Sequence, residues 1–195
     1  MEAIILASSS PRRSELLSRA GIPFRIMPGD VDESKVKLSG TPARKAEELA
    51  YIKARSVAEK VEGDIVLGAD TIVVCEDEIF GKPRDEADAF RMLERLNGRE
   101  HIVITGVALI DAASEKAVTG HETTMVRFAS LTENEITAYI KTGEPFGKAG
   151  AYAAQGRGAM LVENINGCYS NVVGLPLRKL AKMLGEFGIN VWEQN

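Results

Sequence analysis

The sequence predicts an α/β protein built on a mixed sheet, and three observations carry that prediction. Strand-like and helix-like segments alternate at the start of the chain, and extended segments then gather in its middle. No Gly-x-Gly-x-x-Gly loop follows the first strand, which disfavours a purely parallel dinucleotide-binding order. With 195 residues, 45% of them hydrophobic and 27% charged, the chain can bury a substantial core and is expected to form, over 1–195, one large domain or two intimately joined lobes.

The elements follow in order. Residues 2–7 carry the apolar run Ile4-Ile5-Leu6-Ala7 and read as a buried strand; 10–20 read as a helix ended by Gly21, and 22–28 as a second extended segment. Thr41-Pro42 opens a long helix reaching Val61. Asp64 to Ala69 returns as a strand leading into Ile72-Val73-Val74-Cys75, with Asp77-Glu78 as the turn before Ile79-Phe80. Asp85 caps a helix over 86–96, whose Ala89, Met92, Leu93 and Leu96 share one face before Gly98 stops it. Ile102 to Ile110 and Thr123 to Phe128 read as long strands joined through Ala113-Ser114. Thr132 and Glu135 form a capping box for a helix over 133–142, and Leu175 to Phe187 supplies the last helix. The sequence contains no internal repeat or low-complexity tract.

Composition narrows the function. The net charge of -4 argues against nucleic acid or a membrane as partner, so any basic patch is local and set against the overall balance. Cys75 and Cys168 each stand without a Cys-x-x-Cys partner and do not suggest zinc; a disulfide between them stays open. The start MEAIILASSS lacks the long apolar core of a secretory signal, and no segment reaches membrane-spanning length, so a cytoplasmic location is expected.

The residues able to carry chemistry begin at the first helix. Ser8-Ser9-Ser10-Pro11-Arg12-Arg13 places a serine cap, a proline at the first helical position and two arginines in the first turn, where the free N–H groups already carry partial positive charge. An anion among the hydroxyls of Ser8 and Ser10, the amides and the guanidinium groups would offset that; an exposed basic turn is the other reading. Asp70 interrupts an apolar run with no other charge and is expected to face a cation, a metal or water, unless it merely turns the chain between two strands. Lys53 lies on the inward stripe marked by Ala46, Leu49, Ala50, Ala54, Val57 and Val61, or snorkels off its edge. Lys82 sits between Gly81 and Pro83, either presented at a fixed angle or a simple turn lysine. Glu33 can supply a second carboxylate for a cation, although spacing alone favours a solvated loop acid for it and for Asp32. His101 and His121 lack a second histidine at ligand spacing and read as structural or exposed. The small-residue stretch Gly147 to Gly158 suits close approach of a ligand to backbone, with Lys148 for charge and Gln155 to read a base edge; flexible turn packing is the alternative. Asn171 to Pro176 reads as a structural turn. Arg12, Arg13, Lys53 and Lys82 together could hold a polyphosphate, with Asp70 and Glu33 holding a divalent metal, a set that points to phosphoryl chemistry with water as nucleophile.

The motifs Ala7 to Arg13 with Glu15-Leu16-Leu17, Gly68-Ala69-Asp70-Thr71, Gly81-Lys82-Pro83, His101 with Thr105-Gly106, Lys148 to Tyr152 with Gln155-Gly156, and Val173-Gly174-Leu175-Pro176 resemble, in order and spacing, the Maf family. The resemblance spans nearly the whole chain. It implies a nucleoside triphosphate pyrophosphatase that cleaves between the α- and β-phosphates with a divalent metal, Mg²⁺ or Mn²⁺. The implied fold is like that of inosine triphosphate pyrophosphatases: an elongated mixed sheet flanked by helices, with two lobes around a cleft. Asp70 is implied as catalytic base or metal-linked water activator, and Arg12, Arg13, Lys53 and Lys82 as phosphate ligands. Arg13, Thr71 and Gln155 resemble the branch acting on dTTP and UTP, in contrast to the branch acting on 7-methyl-GTP. Gly147 departs from the aspartate that many members carry before Lys-Ala-Gly-Ala-Tyr. Small-molecule nucleotides are the implied partners, with a homodimer left open; the alternative role is a nucleotide-binding regulator of septum formation in which hydrolysis is secondary.

Overall fold

A computed structural model describes residues 3–193. In chain order the elements are β1 (Ile4–Leu6), α1 (Pro11–Arg19), β2 (Phe24–Ile26), a 3-10 turn (Glu33–Lys35), α2 (Pro42–Ala58), β3 (Ile65–Cys75), β4 (Glu78–Phe80), α3 (Glu86–Leu96), β5 (Glu100–Asp111), β6 (Ala117–Phe128) and α4 (Glu133–Ile140). Two 3-10 turns (Ala149–Ala151 and Gly156–Leu161) then lead to β7 (Val162–Asn166), α5 (Tyr169–Val173) and α6 (Leu177–Gly185). Among the described residues the sheet has seven strands, in the order β2-β1-β3-β5-β6-β7 with β4 paired to β3 off that path. β1 runs parallel to both β2 and β3, whereas β4 pairs antiparallel with β3 and β7 with β6, so the expected mixed sheet is present.

The chain divides into two compact units. The first holds the residues up to Asp70, Thr105–Glu122 and those from Gly174 on. Its core places α2 over the sheet, with Ala50, Ala54 and Val57 buried against Ile5, Val66, Ala108 and Ile110. Small residues on that face let the helix approach the strands at backbone distance. A Cβ at Gly68 would lie 2.2 Å from the Ala50 carbonyl oxygen, and one at Gly106 2.2 Å from that of Ala46. Glycine at both places is therefore a condition of this packing.

The second unit holds Thr71–Ile104 and Thr123–Val173. The Asp85 carboxylate accepts from the Asp88 N–H at 2.8 Å and starts α3, which buries Ala89, Met92, Leu93 and Leu96 as the periodicity predicts. Complete burial of each large apolar side chain contributes roughly 1.5–3 kcal/mol. The Thr132–Glu135 capping box opens α4, whose Ile136, Tyr139 and Ile140 join the same core as Phe80 and Phe128.

Besides shifted element ends, with α2 stopping at Ala58, β6 starting at Ala117 and α6 confined to Leu177–Gly185, the structure departs from the sequence reading at four places. β3 runs unbroken through Asp70, so this residue is a strand residue and no turn interrupts it. The turn before β4 falls at Glu76-Asp77, with Glu76 at a positive φ of 54°, one residue earlier than the sequence suggests. Residues 162–166 form a strand because β6 supplies the ladder, pairing Met125 with Asn166 and Val126 with Ile165. The stretch read as a turn from Asn171 begins inside α5, where Asn171 is buried and its amide donates to the Val103 carbonyl at 3.0 Å and to Thr124 Oγ1 at 2.9 Å. Cys75 and Cys168 are free thiols. Among the described residues no helix is long and apolar enough to cross a membrane.

Candidate active site

In the first unit the backbone itself aligns the candidate residues. The Ala7 N–H donates to the Leu67 carbonyl at 2.8 Å, so the end of β1 lies beside β3 three residues before Asp70. Ser10 occupies the cap position of α1 in extended conformation, yet its hydroxyl makes no cap bond; its N–H donates to Ser8 Oγ at 3.2 Å. No acidic residue stands in the first turn of α1, so the amide ends keep their partial positive charge beside Arg12 and Arg13.

Arg13 is fixed by two of its donors. Its Nε donates to the Gly174 carbonyl at 2.9 Å and its Nη1 to Ser8 Oγ at 3.0 Å. Burial lowers the Arg13 pKa; Asp70 opposes that, Arg12 adds to it, and Glu33 opposes it again. A guanidinium starts so far above neutrality that it stays charged. The planar fork is thus held in one orientation, within the electrostatic reach of both carboxylates.

Lys53 does not snorkel. Its Nζ lies 2.6 Å from Asp70 Oδ1 and 2.8 Å from Glu33 Oε1, and only 15% of its side chain is exposed. The close packing of α2 on Gly68 brings Lys53 down onto Asp70, whose side chain is 11% exposed. Glu33, expected to be simply solvated, is 42% exposed and leans from its 3-10 turn onto the same ammonium. Ser8, Arg13, Glu33, Lys53 and Asp70 are therefore drawn into one charged constellation.

Two convergent carboxylates are the hard oxygen donors that Mg²⁺ and Mn²⁺ take, and such ions often bind by one or two carboxylates plus water and substrate phosphates. Among the described residues no group of three or more His, Cys, Asp or Glu is placed to cage a metal. In this structure the two carboxylates converge on the Lys53 ammonium, and as hard oxygen donors they are of the type such a cation would take.

The second unit carries the remaining candidates. Thr71 follows Asp70 directly in β3 and, by strand alternation, its side chain leaves the opposite face. Lys82 is exposed on the loop after β4, and this loop is tied to the small-residue stretch because the Gly150 N–H donates to the Gly81 carbonyl at 3.0 Å. Gln155 is half-buried at the head of the turn Gly156–Leu161, and the Lys148 ammonium donates to the Glu144 carbonyl. His101 is structural and buried. Its Nε2 meets Tyr152 Oη at 2.8 Å, its ring packs edge-on against Phe128 and Tyr152, and burial pulls its pKa down to about 4. His121 pairs with Glu47, Nδ1 to Oε1 at 2.7 Å.

Sequence reasoning missed two contributors. The Gly174 carbonyl orients Arg13, a backbone role that only the motif Val173-Gly174-Leu175-Pro176 hinted at. Glu144, in Gly143-Glu144-Pro145, accepts from the backbone N–H groups of Arg157 and Gly158, and nothing in its local pattern marks a partner thirteen residues on.

The sequence model of the family described as Maf-like protein matches residues 3–187. A dTTP/UTP pyrophosphatase of Ruminiclostridium cellulolyticum is 58% identical over 94% of this chain and 95% of its own length. One of Pelotomaculum thermopropionicum is 53% identical over 98% of this chain and 100% of its own. Among solved structures, a HAM1 protein from Coxiella burnetii aligns over 95% of this chain and 100% of its own, with 15% identity and a TM-score of 0.49.

Proposed function

The chain belongs to the Maf family, and from that premise we propose that it is a nucleoside triphosphate pyrophosphatase hydrolysing dTTP and UTP to the monophosphate and pyrophosphate. One observation carries the assignment of the site: Lys53 gathers Asp70 and Glu33 at 2.6 and 2.8 Å beside a guanidinium locked by Ser8 and Gly174.

The reaction asks little covalent chemistry of the protein and much electrostatics. A water oxygen attacks the α-phosphorus, the bond from that phosphorus to the α–β bridging oxygen breaks, and pyrophosphate leaves. Asp70 orients the attacking water and accepts its proton. Arg12, Arg13, Lys53 and Lys82 bind phosphate oxygens, with the hydroxyls of Ser8 and Ser10 and the open amide end of α1 adding donors. Arg13 suits this because Ser8 and Gly174 have already fixed its fork, so little side-chain freedom remains to be lost on binding. Lys53 has a second task, since it fixes the two carboxylates in place. Asp70 and Glu33 would hold a bound Mg²⁺ or Mn²⁺, which would supply further neutralisation of phosphate charge. Thr71 and Gln155 contribute to the choice of nucleotide, the Gln155 amide pairing with the edge of a pyrimidine through a donor and an acceptor. The whole chain over 1–195 acts as one cytoplasmic enzyme on free nucleotides.

A panel of nucleoside triphosphates with Mg²⁺ or Mn²⁺, with products resolved, tests the proposal. Preferential turnover of dTTP and UTP to monophosphate and pyrophosphate, lost in Asp70→Asn, is expected. Release of orthophosphate, or turnover that survives in Asp70→Asn, contradicts it.

A further inference from the structure

Gln155 is the first residue before the turn Gly156–Leu161, with extended φ of -123° and ψ of 168°, and its own side chain makes no cap bond. At such a position a short polar side chain, Ser, Thr, Asp or Asn, accepts from an N–H two or three residues on, and Gln155 is none of these. Here that work is done from elsewhere in the chain. Glu144 Oε1 accepts from the Arg157 N–H and Oε2 from the Gly158 N–H, both at 3.1 Å. Glu144 is itself fixed: its N–H donates to Thr142 Oγ1 at 3.1 Å, and that hydroxyl donates to the Tyr139 carbonyl at the end of α4 at 2.7 Å.

The backbone on the other side of Gln155 is pinned as well. Tyr169 Oη donates to the Ala154 carbonyl at 3.3 Å, and Tyr152 is held by buried His101. The carbonyl of Glu144 also takes the Lys148 ammonium, so one residue holds both that charge and the backbone N–H groups of Arg157 and Gly158.

We infer that Glu144 is a specificity-positioning residue: its carboxylate caps the turn Gly156–Leu161 in place of Gln155 and so leaves the Gln155 amide oriented for reading the base. This rests on the proposed role of Gln155. The carboxylate does not touch the nucleotide; it acts through the backbone of 156–158.

The test compares Glu144→Ala, Glu144→Gln and Gln155→Ala in the full chain, reading kcat and KM for UTP and CTP, whose pyrimidine edges differ in donor and acceptor order. Glu144→Ala is expected to raise KM for UTP and shrink the UTP-over-CTP ratio of kcat/KM by about 10- to 100-fold, as misplacement of a reading group does. Glu144→Gln keeps one acceptor oxygen and should recover part of the ratio. Adding Glu144→Ala to Gln155→Ala should change the ratio no further, because both act on one contact. If Gln155→Ala collapses the ratio while both Glu144 variants leave it intact, the inference is overturned and the reading of Gln155 stands. If Gln155→Ala leaves the ratio intact, the reading of Gln155 fails and the inference fails with it. Should Glu144→Ala not fold, the partial loss expected for Glu144→Gln decides the matter, and an unchanged ratio in that variant refutes it.

Discussion

Replacing Gly68 with alanine should damage catalysis from a position that carries no functional group. The added Cβ would lie 2.2 Å from the Ala50 carbonyl oxygen, 2.8 Å from the Ala54 nitrogen and 2.9 Å from the Ala54 Cβ. These are helix backbone and a methyl stem, so no flexible side-chain end can swing aside. Restoring ordinary contact requires α2 to retreat from β3 by about 1 Å. Lys53 rides on α2 and Asp70 on β3, so the 2.6 Å contact between them must open or distort. Overpacking of this kind costs about 1–3 kcal/mol, or about 3–10 °C in Tm for a chain of this size. A displacement of that size at a reacting group lowers turnover by about 100-fold. Urea denaturation with steady-state release of pyrophosphate from dTTP measures both, and Gly120→Ala provides the control, because its Cβ would meet nothing nearer than 3.7 Å. Stability and kcat in Gly68→Ala equal to those of Gly120→Ala would refute the argument that close helix packing positions Lys53.

Three further outcomes are expected, the second from the resemblance at Arg13 to the branch acting on dTTP and UTP. His101 takes a proton near pH 6.5 when unfolded but only near 4 when folded, so between those values the unfolded state binds more protons and stability rises with pH. The wild type should lose about 3 kcal/mol on acidification across that window, at about 1.4 kcal/mol per pH unit, whereas His101→Gln should lose less; parallel denaturation curves of both proteins against pH would disprove it. Arg13→Trp removes a guanidinium held by Ser8 and Gly174 and is expected to change which nucleotide is cleaved, as read in competition between dTTP and 7-methyl-GTP; a slower rate with unchanged preference would make Arg13 a phosphate anchor only. Chelation with EDTA should abolish turnover, with Mg²⁺ or Mn²⁺ restoring it in the wild type but far less in Glu33→Gln; activity that persists through chelation would remove the cation from the account.

Local physics was legible in the sequence wherever one segment determined its own structure. Asp85 and the apolar spacing of Ala89, Met92, Leu93 and Leu96 place α3 without reference to anything else, and Thr132 with Glu135 does the same for α4. Asp70 was conspicuous because an isolated charge in an apolar run demands a partner, and Lys53 because it lies on an apolar stripe; the structure joins the two. What the sequence hid depends on partners distant along the chain. Val162-Glu163-Asn164-Ile165-Asn166 becomes β7 through pairing with β6, and five residues of α5 are too few to show a helical period. Glu33 looked like any loop acid until α2 put an ammonium within 2.8 Å of it. The cap supplied by Glu144 lies thirteen residues from the N–H groups it satisfies.

The most direct test of the central claim is to let the protein hydrolyse dTTP in water enriched in heavy oxygen and to locate the label. Attack at the α-phosphorus by a water that Asp70 orients puts the label in dTMP and none in pyrophosphate, with both products absent in Asp70→Asn. Label in pyrophosphate, or in orthophosphate, would show the attack falling on another phosphorus and would contradict the assignment.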